Sequence, residues 1–551
     1  MASGLPNPSA HWNRAMKSVI GAPAIRERLP EILYDESRLI CGTPSAAYFP
    51  ESIDDIREIV LRAHRDHTPL TIIGGKTGIA GGSVPTDGSI ALCLSAMNQI
   101  LHISRLPDGS ACMLCRPGIM LSAIDDFLAN PAAEQQVPGS EHVSQGRYFY
   151  PPDPTELTAQ LGGTVATNAS GARSFHYGAT RVHVESLKII LADGEALSLR
   201  RNEHPIRNGY FSVKTETGKE ISIRAPSYVS PRLKNASGYY ADPAMDLLDL
   251  FIGSEGTLGI IAEIGIRIRP KPDIMAGLSF FDKRDYAVAF AGLLRTDPAI
   301  AAIEYFDSSA LDFLRAHAGA ISLKIADFPA GKTCALFWER IESPADSFDT
   351  RIDLFERQLS ECGSSLDATW SGADERESAR LKEFRHAVPE LINQRIAQAK
   401  RECPAIRKVS TDTAVPGDVF ETVFNESVRM IEDARCAYVA FGHIGDYHLH
   451  FNMLPSNQAE MDRAVAVYQR LMDLTIKNRG TVSAEHGVGK LKVPYLRAMY
   501  GDAVIAEMKR IKSELDPHWV MSRGNLFEFD EMLTIQDTED TEKAQRATEK
   551  I

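Results

Sequence analysis

The spacing of hydrophobic positions changes along the chain. Up to about residue 40 no period is sustained, and a helical, irregular lead-in is expected. Between about 41 and 270, short β-branched runs such as Pro69-Leu-Thr-Ile-Ile73 and Leu187-Lys-Ile-Ile-Leu191 alternate with helical stretches. One such stretch spans 53–66, with Ile53, Ile56, Ile59, Val60 and Ala63 on one face. Apolar positions three and four apart mark an amphipathic helix, and short β-branched runs between glycines mark strands. An α/β or α+β domain follows. A polar, basic stretch at 201–236 interrupts it and reads as a surface insertion. Arg267-Ile-Arg-Pro-Lys-Pro-Asp273 reads as a strand end and a linker. From 274 to about 515 long helical patterns take over. One covers 457–478, with Met461, Val465, Tyr468, Met472 and Ile476 on its stripe and Arg479-Gly480 at its end. After Asp530 the chain is charged, and a frayed tail is expected.

Composition narrows the class. The 551 residues are 44% hydrophobic and 24% charged, as in ordinary globular proteins, which excludes disorder, collagen-like repeats and disulfide scaffolds. A net charge of −13 argues against nucleic acid and anionic membranes as partners. Of eight cysteines only Cys112 and Cys115 are close, in a strand-like run without a second pair, so spectator thiols in a reducing compartment are expected. The opening Met-Ala-Ser-Gly-Leu-Pro-Asn-Pro-Ser has neither a basic nor an apolar leader region. No run approaches the roughly 18 apolar residues of a membrane span. A cytoplasmic protein is expected.

Three glycine-rich segments carry the first chemical signal. Residues 73–85 read Ile-Gly-Gly-Lys-Thr-Gly-Ile-Ala-Gly-Gly-Ser-Val-Pro. A Walker A loop would need Gly at position 70, which is Leu70, and the spacing of Gly74, Gly75 and Gly78 is not that of a Rossmann turn. Five glycines in nine residues after an apolar strand still let backbone amides approach phosphate oxygens. The second segment runs from Tyr150-Pro-Pro-Asp-Pro-Thr155 through Gly162-Gly163-Thr-Val-Ala-Thr-Asn168-Ala-Ser-Gly171 to Tyr177-Gly178. The third is Gly253-Ser-Glu-Gly-Thr-Leu-Gly-Ile-Ile261. Together they suit a long polar cofactor with a pyrophosphate.

The second signal is a histidine–carboxylate cluster. In Phe441-Gly-His-Ile-Gly-Asp-Tyr-His-Leu-His-Phe-Asn-Met453, strict alternation puts His448, His450 and Asn452 on one strand face and Leu449, Phe451 and Met453 on the other. A half-buried strand is expected, with His443 before it across the Gly445-Asp446 turn. Gly480-Thr-Val-Ser-Ala-Glu-His-Gly-Val-Gly489 adds Glu485 and His486. Four of the 15 histidines fall in these two segments. Two His and a Glu make a metal set with an open side for substrate.

These segments resemble the vanillyl-alcohol-oxidase/p-cresol-methylhydroxylase superfamily, in its branch of FAD-linked D-lactate, glycolate and D-2-hydroxyglutarate dehydrogenases, over roughly residues 40–530. The resemblance implies an α+β architecture. A p-cresol-methylhydroxylase-type FAD-binding domain of two α/β subdomains would span 41–270, a substrate-binding cap with a metal site 271–515, and a segment returning to the FAD domain 516–551. It implies that Gly74, Gly75, Lys76, Thr77, Gly78, Gly82 and Ser83 wrap the FAD pyrophosphate. Pro152, Asp153, Thr155, Gly162, Gly163, Thr167, Asn168, Gly171, Tyr177 and Gly178 would line the rest, with Ile260 and Ile261 beside the adenine. Lys76 departs from the small residue usual there. The 73–85 loop has no His, so FAD is expected to be non-covalent.

By the same resemblance His443, His450 and Glu485 match metal ligands, for Zn2+ first and Mn2+ or Fe2+ as alternatives. His486 matches the general base, neutral near pH 7, and Asn452 a substrate-contacting amide. His448 stands where the family usually has Asn, either as a fourth ligand or as part of the substrate pocket. Arg385, and in looser register Lys408, match basic substrate-binding positions. Pro389 replaces the Thr of the dicarboxylate enzymes and favours a small monocarboxylate. The implied reaction is oxidation of a D-2-hydroxyacid, D-lactate first, to the 2-oxoacid: a proton goes to His486 and a hydride to the flavin. D-2-hydroxyglutarate and glycolate are the alternative substrates. Alkyl-exchange chemistry of the alkyl-dihydroxyacetonephosphate synthase type, or an electron-relaying flavoprotein subunit, stands further off. No cysteine spacing fits an iron–sulfur cluster, so the electrons require an external acceptor: a quinone, an electron-transfer flavoprotein, a cytochrome or an iron–sulfur partner. A homodimer is expected from the family. The 201–236 stretch and the tail are candidate docking surfaces.

Overall fold

The structure, a computed structural model, describes residues 16–130, 137–143, 148–317, 328–329, 331–343, 347–372 and 375–529. The lead-in supplies a strand, Lys17–Ile20, antiparallel to Ala46–Phe49. Four residues are too few to carry a readable period. Ala46–Phe49 and Leu70–Ile73 both run parallel to Ile90–Cys93, completing a four-stranded sheet among the described residues. Helix Ile53–Arg65 makes the crossover between parallel strands and buries the expected Ile56, Ile59, Val60 and Ala63. Ser52 and Asp55 close a capping box at its start.

A second sheet orders Ile100–Arg105, Ala111–Cys115, Ile260–Pro270, Val184–Ile190 and Ala196–Arg200, with Tyr148–Phe149 on the end of Ile260–Pro270. Cys112 and Cys115 lie in this sheet, and all eight cysteines are free. Burial pushes the Cys112 thiol up to about 11, so it stays protonated and inert. Residues 201–236 are more than a polar surface insertion. Their hairpin, Tyr210–Lys214 with Glu220–Arg224, turns Phe211, Val213 and Ile223 into the core beside Met508 and Leu515.

The second half differs most from expectation. Its frame is an eight-stranded sheet, ordered Thr369–Gly372, Ile274–Phe281, Cys334–Ile341, Ile300–Phe306, Tyr438–Gly442, His448–Met453 and Val409–Ser410, with Thr413–Ala414 also on His448–Met453. Ile274–Phe281 gives Met275 and Phe281 to one core cluster and Ala276, Leu278 and Phe280 to another. Strands covered on both faces lose the polar alternation that identifies them. In helix Gln458–Lys477 the buried face is Met461, Ala464, Val467, Leu471 and Met472. The expected Val465 is 40% exposed, because with Tyr468 it faces a cavity. After helix Val493–Leu515 the chain returns to the first sheet, where Leu70 hydrogen-bonds Val520 and Ser522. The tail beyond residue 529 lies outside the described residues. Among those residues no helix is long and apolar enough to cross a membrane.

Candidate active site

A cavity of about 1070 Å3 separates the glycine loops from the cap sheet. Pockets for single small molecules span roughly 300–1,000 Å3, so this one has room for a large cofactor and a small substrate together. Of the residues expected to hold the cofactor, Gly74, Gly75, Lys76, Thr77, Gly78, Gly82, Ser83, Thr155, Gly162, Gly163, Thr167, Gly171 and Ile261 line it. The glycines are sterically required in places: a Cβ on Gly171 would sit 1.8 Å from the Asp153 carbonyl oxygen. Ser83 Oγ and Gln160 Oε1 belong to lining residues and are buried without a protein partner. Amide-rich loops with unpaired polar atoms fit a polar, phosphate-bearing cofactor.

Other expected cofactor residues stand behind this wall. Asp153 pairs with Arg385 Nη1 at 2.8 Å. Asn168 bonds the Asn235 carbonyl and the Arg181 amide. Tyr177 packs edge-on against Phe149, Gly178 caps a short helix at φ +82°, and Pro152 is buried. Ile260 packs into the first-sheet core while its neighbour Ile261 reaches the cavity, because adjacent strand residues face opposite ways. Glu255, in the third glycine segment, accepts the Val488 and Gly489 amides at 2.7 Å each. Burial pushes its carboxyl up to about 7.

At the cap end strand His448–Met453 is buried on both faces, where one solvent-facing side was expected. Leu449, Phe451 and Met453 join the core, while His450 and Asn452 line the cavity. His443 Nδ1 meets Glu304 Oε1 at 2.5 Å, and His450 Nδ1 meets the Thr411 carbonyl oxygen at 2.9 Å. Each contact leaves Nε2 facing Glu485, at 3.4 Å from His443 and 3.2 Å from His450. Imidazoles whose outer nitrogen is held by a carboxylate or carbonyl are the usual orientation of metal-bound histidines. Ligand atoms of His443, His448, His450 and Glu485 all lie within 4.8 Å of one another, so the donor set fits a divalent ion.

His448 is fully buried with Nε2 3.4 Å from Asp412 Oδ1, off the cavity lining, and of its two alternatives the cluster above keeps that of a fourth ligand. Burial holds its pKa well below the ordinary value. For His486, expected to be neutral near pH 7, burial opposes the charged form while Asp412 Oδ2, 3.3 Å from Nδ1, favours it, and the balance raises its pKa.

Three residues of this site were not among the expected site residues. Asp412 accepts the Ala484, Glu485 and His486 amides and pairs with Lys492 at 2.7 Å. Burial works against its charge, yet His486 and Lys492 hold it well below the usual carboxylate range. Lys234, at the end of the presumed insertion, puts its buried ammonium 3.0 Å from Glu485 Oε2. Glu304 comes from a strand 139 residues before His443. Replacing Asp412 by Ala should destabilise the protein by roughly 3–5 kcal/mol, because Lys492 and three amides lose their partner. Chemical denaturation reads this, and a loss below about 1 kcal/mol would remove Asp412 as the organiser of the loop.

Arg385, on helix Glu375–Glu402, is buried, with Nη2 unpartnered beside the cavity. Lys408 lines the same wall with Asn393 Oδ1, at 3.4 Å, as its hydrogen-bond partner among the described residues, and burial lowers its pKa to about 8. Pro389 and Asn393 lie between them on the cavity wall.

Comparison with known proteins agrees with this fold. A family described as "FAD binding domain" matches residues 44–200, and one described as "FAD linked oxidases, C-terminal domain" matches residues 269–526. The chain belongs to the FAD-linked oxidases and is a flavoprotein oxidoreductase of the p-cresol-methylhydroxylase-type fold. Its relatives are FAD-linked D-2-hydroxyacid dehydrogenases. Glycolate oxidase subunit GlcD of Bacillus subtilis (strain 168) is 26% identical over 90% of this chain and 91% of its own. A D-2-hydroxyglutarate dehydrogenase of Xanthomonas citri pv. viticola is 28% identical over 90% and 91%. A probable mitochondrial D-lactate dehydrogenase of Danio rerio is 26% identical over 91% and 88%. Among solved structures, p-cresol methylhydroxylase with substrate bound aligns with a TM-score of 0.65 at 14% identity, over 91% of this chain and 93% of that one.

Proposed function

We propose that the protein oxidises a D-2-hydroxyacid, D-lactate first, to its 2-oxoacid with non-covalent FAD and a divalent metal. The observation that carries this reading is the convergence of His443, His450, Glu485 and His486 on the cavity that the glycine loops line. FAD, when bound, supplies the two-electron acceptor. A divalent ion held by His443, His450 and Glu485, with Zn2+ ahead of Mn2+ or Fe2+, would supply Lewis-acid polarisation of the substrate oxygens.

The chain's own residues do the rest. His486, 27% exposed and on the cavity wall, takes the hydroxyl proton. Asp412 orients the ring through Nδ1 and stabilises the imidazolium that forms. The free Nη2 of Arg385 faces the substrate carboxylate, and Asn452 and Lys408 complete the polar wall. With FAD bound, turnover would require an external electron acceptor, because the chain itself holds no cysteine cluster to take the electrons. A relative in Saccharomyces cerevisiae is named D-lactate dehydrogenase [cytochrome] 1, which supports a cytochrome among the candidates.

Pro389 on the cavity wall favours a small monocarboxylate. Lys408 supports a second reading, a dicarboxylate such as D-2-hydroxyglutarate, because a desolvated ammonium that has no acidic partner among the described residues suits a second carboxylate. Comparing kcat/KM for the two acids decides. Preference for D-lactate carries the first reading, and preference for D-2-hydroxyglutarate carries the second. In either case Lys408 is charged below about pH 8 and neutral above it, so KM for its substrate should rise as pH passes about 8. Lys408→Met should raise KM at pH 7 and abolish that rise; an unchanged profile would remove Lys408 from the substrate site.

A further inference from the structure

The cofactor cavity has a wall that neither family match covers. Asp35, Glu36, Ser37 and Arg38 line it, upstream of residue 44 where the FAD-binding match begins. Asp35 is 1% exposed. Its Oδ1 accepts the Ser37 amide at 2.9 Å and also the Ser37 hydroxyl, a local turn that fixes the carboxylate. The Glu36 amide donates to the Lys76 carbonyl at 3.2 Å and ties the segment to the first glycine loop. Asp35 Oδ2 lies 3.9 Å from where a Cβ on Gly78 would be, and it is buried without a hydrogen-bond partner.

A buried carboxylate oxygen without a donor is costly, roughly 1–3 kcal/mol or more, unless a ligand supplies one. Burial accordingly raises the Asp35 pKa, while the Ser37 contacts, the Lys490 charge and the nearby Gly81 amide favour the anion, the Gly81 amide without reaching hydrogen-bond geometry to Oδ2. A phosphate would repel this oxygen, and the neighbouring glycine amides already suit phosphate. The part of FAD that carries donors next to its pyrophosphate is the sugar chain on either side.

We propose that Asp35 is a cofactor-binding residue whose Oδ2 accepts a hydrogen bond from a sugar hydroxyl of FAD flanking the pyrophosphate. This rests on the flavin reading above. Asp35→Asn tests it without disturbing the local turn: the amide oxygen keeps the Ser37 contacts, and the NH2 then opposes the hydroxyl donor.

Apoprotein of the wild type, Asp35→Asn and Asp35→Ala would be titrated with FAD, following flavin fluorescence. Both substitutions should weaken FAD binding by roughly 10- to 100-fold, and Asp35→Asn should leave the apoprotein melting temperature no lower than that of the wild type. Parallel titrations with FMN and ADP assign the hydroxyl to the ribityl or the ribose side, according to which affinity falls. Asp35→Asn apoprotein that binds FAD within twofold of the wild type overturns the inference. Wild-type apoprotein that takes up no FAD overturns the flavin reading itself, a separate result.

Discussion

His486→Ala should leave FAD bound and the fold intact while lowering turnover by roughly 10²–10⁴-fold, the usual contribution of a positioned general base. The geometry makes this specific. His486 is held from behind by Asp412, through a 3.0 Å contact to its backbone amide and the 3.3 Å approach to Nδ1. Its ring stacks on His450 with centroids 5.5 Å apart, which leaves little freedom beyond one orientation. The deficit should be mainly in kcat, because in the proposed reaction the proton moves in the chemical step while Arg385 is left to bind the carboxylate. Near-normal turnover in the variant would remove His486 from the mechanism.

Glu485→Gln should be at least as damaging. Glu485 is the common partner of His443, His450 and the Lys234 ammonium. The amide keeps the shape and loses the anion that balances a divalent ion. Metal content should fall from about one equivalent to near zero and turnover by roughly 10²-fold or more, since even changes outside the first ligands cost about 10–100-fold. The oxidised flavin spectrum should not change, because Glu485 lies at the cap end of the cavity. A variant that keeps its metal and turns over normally would contradict the ligand assignment. Elemental analysis and steady-state assays together read both outcomes.

What could be read in the sequence depended on how local the cause was. Helix Ile53–Arg65 was legible because its buried face obeys one period and its cap lies within four residues. Strand His448–Met453 was legible because its alternation put His450 and Asn452 on the same side, and both reach the cavity. Parity could not say how deep each residue would sit, so His448 was grouped with its neighbours although Asp412 draws it behind the wall. The same limit separates Ile261 from Ile260.

The cap sheet was hidden for another reason. Ile274–Phe281 and Ile300–Phe306 are covered on both faces, so they carry no polar phase that would distinguish strand from buried helix. Val465 misled in the opposite sense: an apolar residue on a helix was read as core, but it faces a cavity. Lys234, Glu304 and Asp412 illustrate the remaining gap. Each meets the site across tertiary distances, and nothing adjacent in the chain distinguishes them from surface charges. Their burial with paired charges marks them once the fold is known.

The measurement that tests the central claim most directly is the visible spectrum of the purified protein under anaerobic conditions, before and after D-lactate and, separately, L-lactate. Oxidised flavin absorption bleached by the D acid and untouched by the L acid is the expected result, with the same bleaching lost in His486→Ala. A flavin spectrum that no D-2-hydroxyacid bleaches, D-2-hydroxyglutarate and glycolate included, would contradict the proposed reaction and leave this site to chemistry without net oxidation.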